Sequence, residues 1–135
     1  MKNKIESKYG IEIPKTKCND KKCPFHGNLR LRGQSFIGTV IATDVNKSAT
    51  IEFVRKYYIQ KYERYENRRT RLRVHNPGCI NAKKNDKVKI VETKPISKTK
   101  HFVIVNNFGK DISSEQKEEY MEKRIKEEDK KDASS

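Results

Sequence analysis

A chain of 135 residues that is 37% charged, only 33% hydrophobic and +14 in formal net charge has room for one modest domain with tails and a small core. Its surplus of Lys and Arg implies a standing attraction to anionic partners. The longest apolar run, Phe102–Val105, is far short of the roughly 20 residues of a membrane-crossing helix. Three cysteines, an odd number, follow a polar Met1-Lys2-Asn3-Lys4 start with no apolar stretch behind it. That pattern argues against a secretory signal and a disulfide framework, so the expected setting is cytoplasmic, with no membrane.

Residues 1–34 are polar and lysine-rich, broken by Gly10, Pro14, Pro24, Gly27 and Gly33, and read as an N-terminal extension without a core of its own. Within it, Cys18-x4-Cys23-x2-His26 has ligand types and spacings that a structural zinc could use. Cys79 would be the fourth ligand if the extension folds back over the domain. Such a site would pin a coreless arm, because metal binding can drive ordering. The other reading leaves Cys79 as a small buried apolar residue, Cys18 exposed and His26 as an RNA or backbone contact. No other cofactor is implied.

From Ser35 the period becomes two. Ile37, Thr39 and Ile41 alternate with Phe36, Gly38, Val40 and Ala42, a first strand partly buried on both sides. Asp44–Lys47 is a turn, and a second strand turns Ile51 and Phe53 inward and Glu52 and Lys56 outward. Tyr57 to Arg68 mixes tyrosines and charges without alternation and reads as a protruding loop or a splayed hairpin tip. A third strand sorts Arg69, Arg71 and Arg73 against Thr70, Leu72 and Val74 and stops at Asn76-Pro77-Gly78. A connector, 79–86, allows one helical turn. A fourth strand (87–93) points Val88 and Ile90 one way and Lys87 and Lys89 the other; Pro95 ends it. A basic loop leads to the fifth strand, 101–107. Five strands with a break after the third suggest a mainly β, five-stranded OB-fold barrel over residues 35–109. The segment 110–135 is a charged C-terminal tail. Ser113 to Gln116 offers a capping box for a short helix there. Residues 112–135 hold eight acidic and six basic side chains, a net −2, which leaves +16 on residues 1–111.

Arg55 to Arg73 carries eight basic and two acidic residues, interleaved with Tyr57, Tyr58, Tyr62 and Tyr65. Cations neutralise phosphates, and tyrosines stack on exposed bases or bond to sugar and phosphate. The candidate RNA-binding residues are therefore Arg55, Lys56, Tyr57, Lys61, Tyr62, Arg64, Arg68, Arg69, Arg71 and Arg73. Three arginines at alternate positions repel one another unless something anionic sits opposite. The bland alternative is a solvated sheet face with tyrosines covering one end of the barrel, and loop lysines that merely protect an edge.

The run Asn85-Asp86-Lys87-Val88-Lys89-Ile90-Val91-Glu92-Thr93-Lys94-Pro95-Ile96-Ser97 resembles the signature of the small-subunit ribosomal protein seventeen family. That signature is Gly-Asp, alternating aliphatics, an acidic or amide residue, then basic-Pro-aliphatic-Ser. Asn85 stands where the pattern has glycine, and Asn tolerates positive φ better than most residues. Cys23-Pro24-Phe25-His26-Gly27, Gly38-Thr39-Val40, Arg55-Lys56-Tyr57-Tyr58, Lys61-Tyr62-Glu63-Arg64 and Val74-His75-Asn76-Pro77 extend the resemblance over about residues 15–109. They look like the archaeal and eukaryotic branch, with His26 fitting the archaeal type. The resemblance implies, independently of spacing, the OB fold and direct binding to small-subunit rRNA beside neighbouring small-subunit ribosomal proteins, with a part in assembly. Lys94, Pro95, Ser97, Lys98 and Lys100 carry that role over.

Carboxylates are scattered, and His26, His75 and His101 have no evident nucleophile partner. No phosphate-binding loop or dinucleotide fingerprint is present, so no enzyme is expected, and no homo-oligomer. The rival reading is a mobile OB module that binds single strands or tRNA as a translation factor; exposed stacking aromatics would then dominate.

Overall fold

Alternating apolar positions in five segments become the inner wall of a closed barrel. The computed structural model describes residues 10–111, together with 122 and 126. Its strands are β1 (Leu31–Asp44), β2 (Ser48–Ile59), β3 (Arg64–His75), β4 (Asp86–Thr93) and β5 (Phe102–Lys110). They run around the barrel in the order β1-β2-β3-β5-β4, and β4 pairs back onto β1. Neighbours are antiparallel except for a short parallel contact of β3 with β5, at Val74–Phe102 and His75–Val103. Closure removes the free edges that an open sheet would present.

Val40, Ala49, Ile51, Val74, Val88, Ile90 and Ile104 fill the interior with Ala82, and Phe36, Leu72, Ile80 and Phe102 pack at its margin. Val88 and Ile90 point inward, as expected, while Lys87 is exposed. In β3, Arg69, Arg71 and Arg73 lie outside, Thr70 and Leu72 are half-buried and Val74 is buried. The inward set of β1 is Phe36, Gly38 and Val40; Ile37 is 51% exposed, and the register shifts between Val40 and Ala42. That bulge bends the strand as it crosses β2.

Two expectations are corrected. The arm ahead of the barrel is not coreless. Ile11, Cys23, Phe25 and Cys79 form a second buried cluster with Val91, Val103 and Val105. These valines lie on the opposite face of β4 and β5 from Val88, Ile90 and Ile104, so both faces of these strands are apolar and the outer one needs a cover. Tyr57 to Arg68, expected as a loop or splayed tip, is mostly paired strand: β2 and β3 stay in register from Ser48–His75 to Ile59–Arg64. A 3-10 turn, Gln60–Tyr62, joins them, closed by Glu63 at φ 49°. Alternation is invisible there because both faces are polar.

The connector is a single turn, with Ile80 and Asn81 donating their N–H groups to the Pro77 carbonyl. Asn85 takes φ 69°, so the residue in glycine's place adopts the left-handed turn. Glu122 and Lys126 are helical; the rest of the expected tail helix, with its capping box, lies outside the described residues, as do residues 1–9.

Candidate nucleic-acid interface and cysteine cluster

The pairing of β1 with β2 ends at Glu52. Past that point β2 is paired with β3 alone. Cross-strand partners share a face. Thus Glu52–Arg71, Val54–Arg69, Lys56–Asn67 and Tyr58–Tyr65 lie on one side, and Phe53–Thr70, Arg55–Arg68, Tyr57–Glu66 and Ile59–Arg64 on the other. The second side continues the barrel lining, but it turns from apolar to charged at Arg55. Val54 is 61% exposed, and the four tyrosines 57, 58, 62 and 65 are also exposed. A two-stranded ribbon is marginal by itself; this one is braced by side chains. The Arg68 guanidinium sits 3.7 Å from the Tyr57 ring centroid, Tyr58 and Tyr65 rings meet at 5.1 Å, and Lys61 lies over Tyr62. Arg68 also pairs with Glu66.

The three β3 arginines do have anions opposite. Glu52 receives Arg71 Nε at 2.8 Å and lies 3.9 Å from Arg69 Nε, while Arg73 pairs with Asp44. Internal carboxylates therefore relieve the repulsion that seemed to require an external anion. These pairs are exposed, and such pairs contribute about 0–1 kcal/mol, so exchanging a carboxylate for a phosphate is inexpensive.

The loop after β4 is folded on itself. Ile96 N–H donates to the Lys100 carbonyl at 3.0 Å, Lys100 N–H to Ser97 Oγ at 3.2 Å, and Thr93 N–H to the His101 carbonyl at 2.8 Å. Lys94, Pro95, Ser97 and Lys98 are left exposed, and Lys100 is half-buried. Burial and the neighbouring Lys22 and Arg73 cations push the Lys100 pKa down. The end of the loop thus lies near Arg73 of β3 and near Lys22; Lys47 reaches the same Asp20 that acts on Lys100, its ammonium 3.7 Å from that carboxylate. Sequence reasoning missed Lys22 and Lys47, whose neighbours are remote in the chain. The candidates on the hairpin tip, Lys61, Tyr62 and Arg64, are separate from this patch.

Asp20 also anchors the arm to β3. Its Oδ2 is 2.8 Å from Nε2 of the buried His75. Burial lowers the His75 pKa more than the Asp20 carboxylate raises it, so the ring is neutral and donates from Nε2. Burial opposes ionisation of Asp20, but the Lys22 N–H, His75 and Lys47 hold it below the usual carboxylate range.

The expected fold-back of the arm brings the cysteines together. Cys18, Cys23, His26 and Cys79 place one ligand atom each within 4.8 Å of the others. His26 Nδ1 is 3.4 Å from Cys18 Sγ and 3.6 Å from Cys23 Sγ, and Cys23 Sγ is 3.6 Å from Cys79 Sγ. All three thiols are free, and Cys18 is half-buried rather than exposed. Burial pushes Cys23 and Cys79 up; for Cys18, the Asp20 N–H and the facing thiols outweigh burial and the shift is downward. Gly27 allows the tight loop: a Cβ there would lie 2.3 Å from the Lys21 carbonyl oxygen. The Cys79 turn is fixed by Asn76, which donates Nδ2 to the Ala82 carbonyl at 3.0 Å and accepts the Ala82 N–H at 3.1 Å.

Residues 38–106 match the family model described as Ribosomal protein S17. The chain is 50% identical over 100 residues to the small ribosomal subunit protein uS17 of Methanocaldococcus jannaschii, spanning 74% of this chain and 86% of the relative. With the same-named protein of Nanoarchaeum equitans it shares 52% over 104 residues, 76% of this chain and 92% of the relative. With that of Methanopyrus kandleri it shares 47% over 96 residues, 71% and 81%.

Proposed function

The chain belongs to the ribosomal protein S17 family, and on that premise we propose that it holds small-subunit rRNA through the β2–β3 hairpin and the loop after β4. It is a structural protein of the small ribosomal subunit, in the cytoplasmic ribosome, and not an enzyme. No helix among the described residues is long and apolar enough to cross a membrane. The barrel is of the OB type, a reading supported by the strand order and the parallel β3–β5 contact. It is flanked by an N-terminal extension and a charged C-terminal segment.

The observation that carries the RNA reading is the ribbon beyond Glu52, paired only with itself among the described residues and bearing charged and tyrosine side chains on both faces from Arg55 onward. Arg55, Lys56, Lys61, Arg64 and Arg68 on the ribbon neutralise phosphates, and Tyr57 and Tyr62 stack or bond to sugar. Arg69, Arg71 and Arg73 with Lys94, Lys98 and Lys100 form a second contact at the barrel wall, where Pro95 and Ser97 shape the loop. Neighbouring small-subunit proteins complete the surroundings; the protein acts as a single copy.

Binding to small-subunit rRNA should fall steeply with salt. About 6–10 phosphate contacts correspond to a loss of roughly 10³–10⁵ in affinity between 50 and 200 mM. Filter binding at graded salt measures this, and a nearly flat dependence contradicts the proposal. A mobile single-strand binder would instead lose most of its affinity on removal of the exposed tyrosines.

A further inference from the structure

We infer that Cys18, Cys23, His26 and Cys79 form a structural zinc site that clamps the N-terminal arm to the turn after β3. The inference does not depend on the RNA-binding role.

Zinc bonds of about 2.3 Å to sulfur and 2.0–2.1 Å to nitrogen, at tetrahedral angles, require ligand-to-ligand edges of roughly 3.5–3.8 Å. Three edges of the cluster measure 3.4, 3.6 and 3.6 Å, with His26 presenting Nδ1 to two sulfurs at once. The donor set, three thiols and an imidazole, is one that structural zinc sites use. Its atoms converge from two segments far apart in sequence, which packing of isolated small thiols does not require.

Backbone N–H groups of Phe25 and His26 hydrogen-bond the Cys23 sulfur, and those of Asp20 and Cys79 hydrogen-bond Cys18. Such donors orient and stabilise sulfur ligands from the second coordination layer. Both halves of the site are also built rigidly. Gly27 N–H bonds the Cys23 carbonyl at 2.9 Å on the arm, and Thr16 Oγ1 donates to the Cys79 carbonyl at 2.7 Å across the junction. The metal would close the second core, whose members Ile11 and Phe25 meet Val91, Val103 and Val105.

The test uses the full chain with reduced thiols. Native mass spectrometry should find one zinc per chain, lost on chelation; no metal on zinc-equilibrated protein overturns the inference. Cobalt loaded into the chelated chain should give the intense visible bands of a tetrahedral site with thiolate charge transfer in the near ultraviolet, displaced by zinc. Absence of these bands likewise overturns it. His26→Cys should retain one equivalent, whereas His26→Ala should lose tight binding by at least tenfold. Unchanged affinity in His26→Ala or in Cys79→Ser would mean an adventitious ion only and would overturn the assignment. Circular dichroism of each variant reports the barrel separately, and the cobalt spectrum of the unaltered chain needs no variant at all.

Discussion

At Gly38 the backbones of β1 and β2 come so close that a Cβ would lie 2.6 Å from Ile51 Cγ2 and 2.8 Å from the Glu52 carbonyl oxygen. The second contact is backbone and cannot swing away. Gly38→Ala should therefore destabilise the barrel by about 1–3 kcal/mol, read as a lower urea midpoint; an unchanged midpoint would show that β1 shifts freely. Asn85 is the reverse case. At φ 69° it is already strained relative to glycine, so Asn85→Gly should be neutral or slightly stabilising. Asn85→Val should cost on the order of 1–2 kcal/mol, and equal midpoints for the two variants would refute the turn's role. The glycine-for-asparagine exchange was legible in the sequence, because the signature defines the position. Gly38's contact was not, since nothing local tells how near β2 passes.

On the scale of elements, the hairpin divides what sequence patterns reveal. Sorting of Arg69, Arg71 and Arg73 from Leu72 and Val74 was readable, because one face of that stretch meets the core. From Tyr57 to Arg68 the same strand pair continues with water on both sides, so no hydrophobic alternation records it. The partners of Val91, Val103 and Val105 were equally hidden: they come from the arm around Ile11, Cys23 and Phe25, and a run of four apolar residues does not say what covers its outer face. The carboxylates Glu52 and Asp44 were visible as residues but not as partners of the arginines, a matter of cross-strand register. Replacing Arg69, Arg71 and Arg73 together with Gln should reduce the salt slope of rRNA binding by up to about 3. It should leave thermal stability within about 1 kcal/mol of the unaltered chain, since exposed pairs contribute little. Normal RNA affinity in the triple variant would make these arginines surface decoration.

Across the whole molecule, a barrel core and a covering core share β4 and β5. The barrel is closed by its own strands, whereas the cover depends on an irregular arm. With zinc at the inferred site, chelation should raise amide hydrogen exchange in residues 11–31 at least tenfold, with little change in β2 and β3 where they pair inside the barrel. Uniform loosening of both regions would show a single cooperative unit instead. The ribbon, by contrast, pairs only with itself beyond Glu52 among the described residues. The most direct check is sedimentation of salt-washed ribosomal subunits from the source cell on sucrose gradients, followed by immunodetection of this chain. The account predicts that it remains with the small subunit in about one copy through a wash that strips loosely held factors. Recovery chiefly as free protein, or with the large subunit, would contradict it.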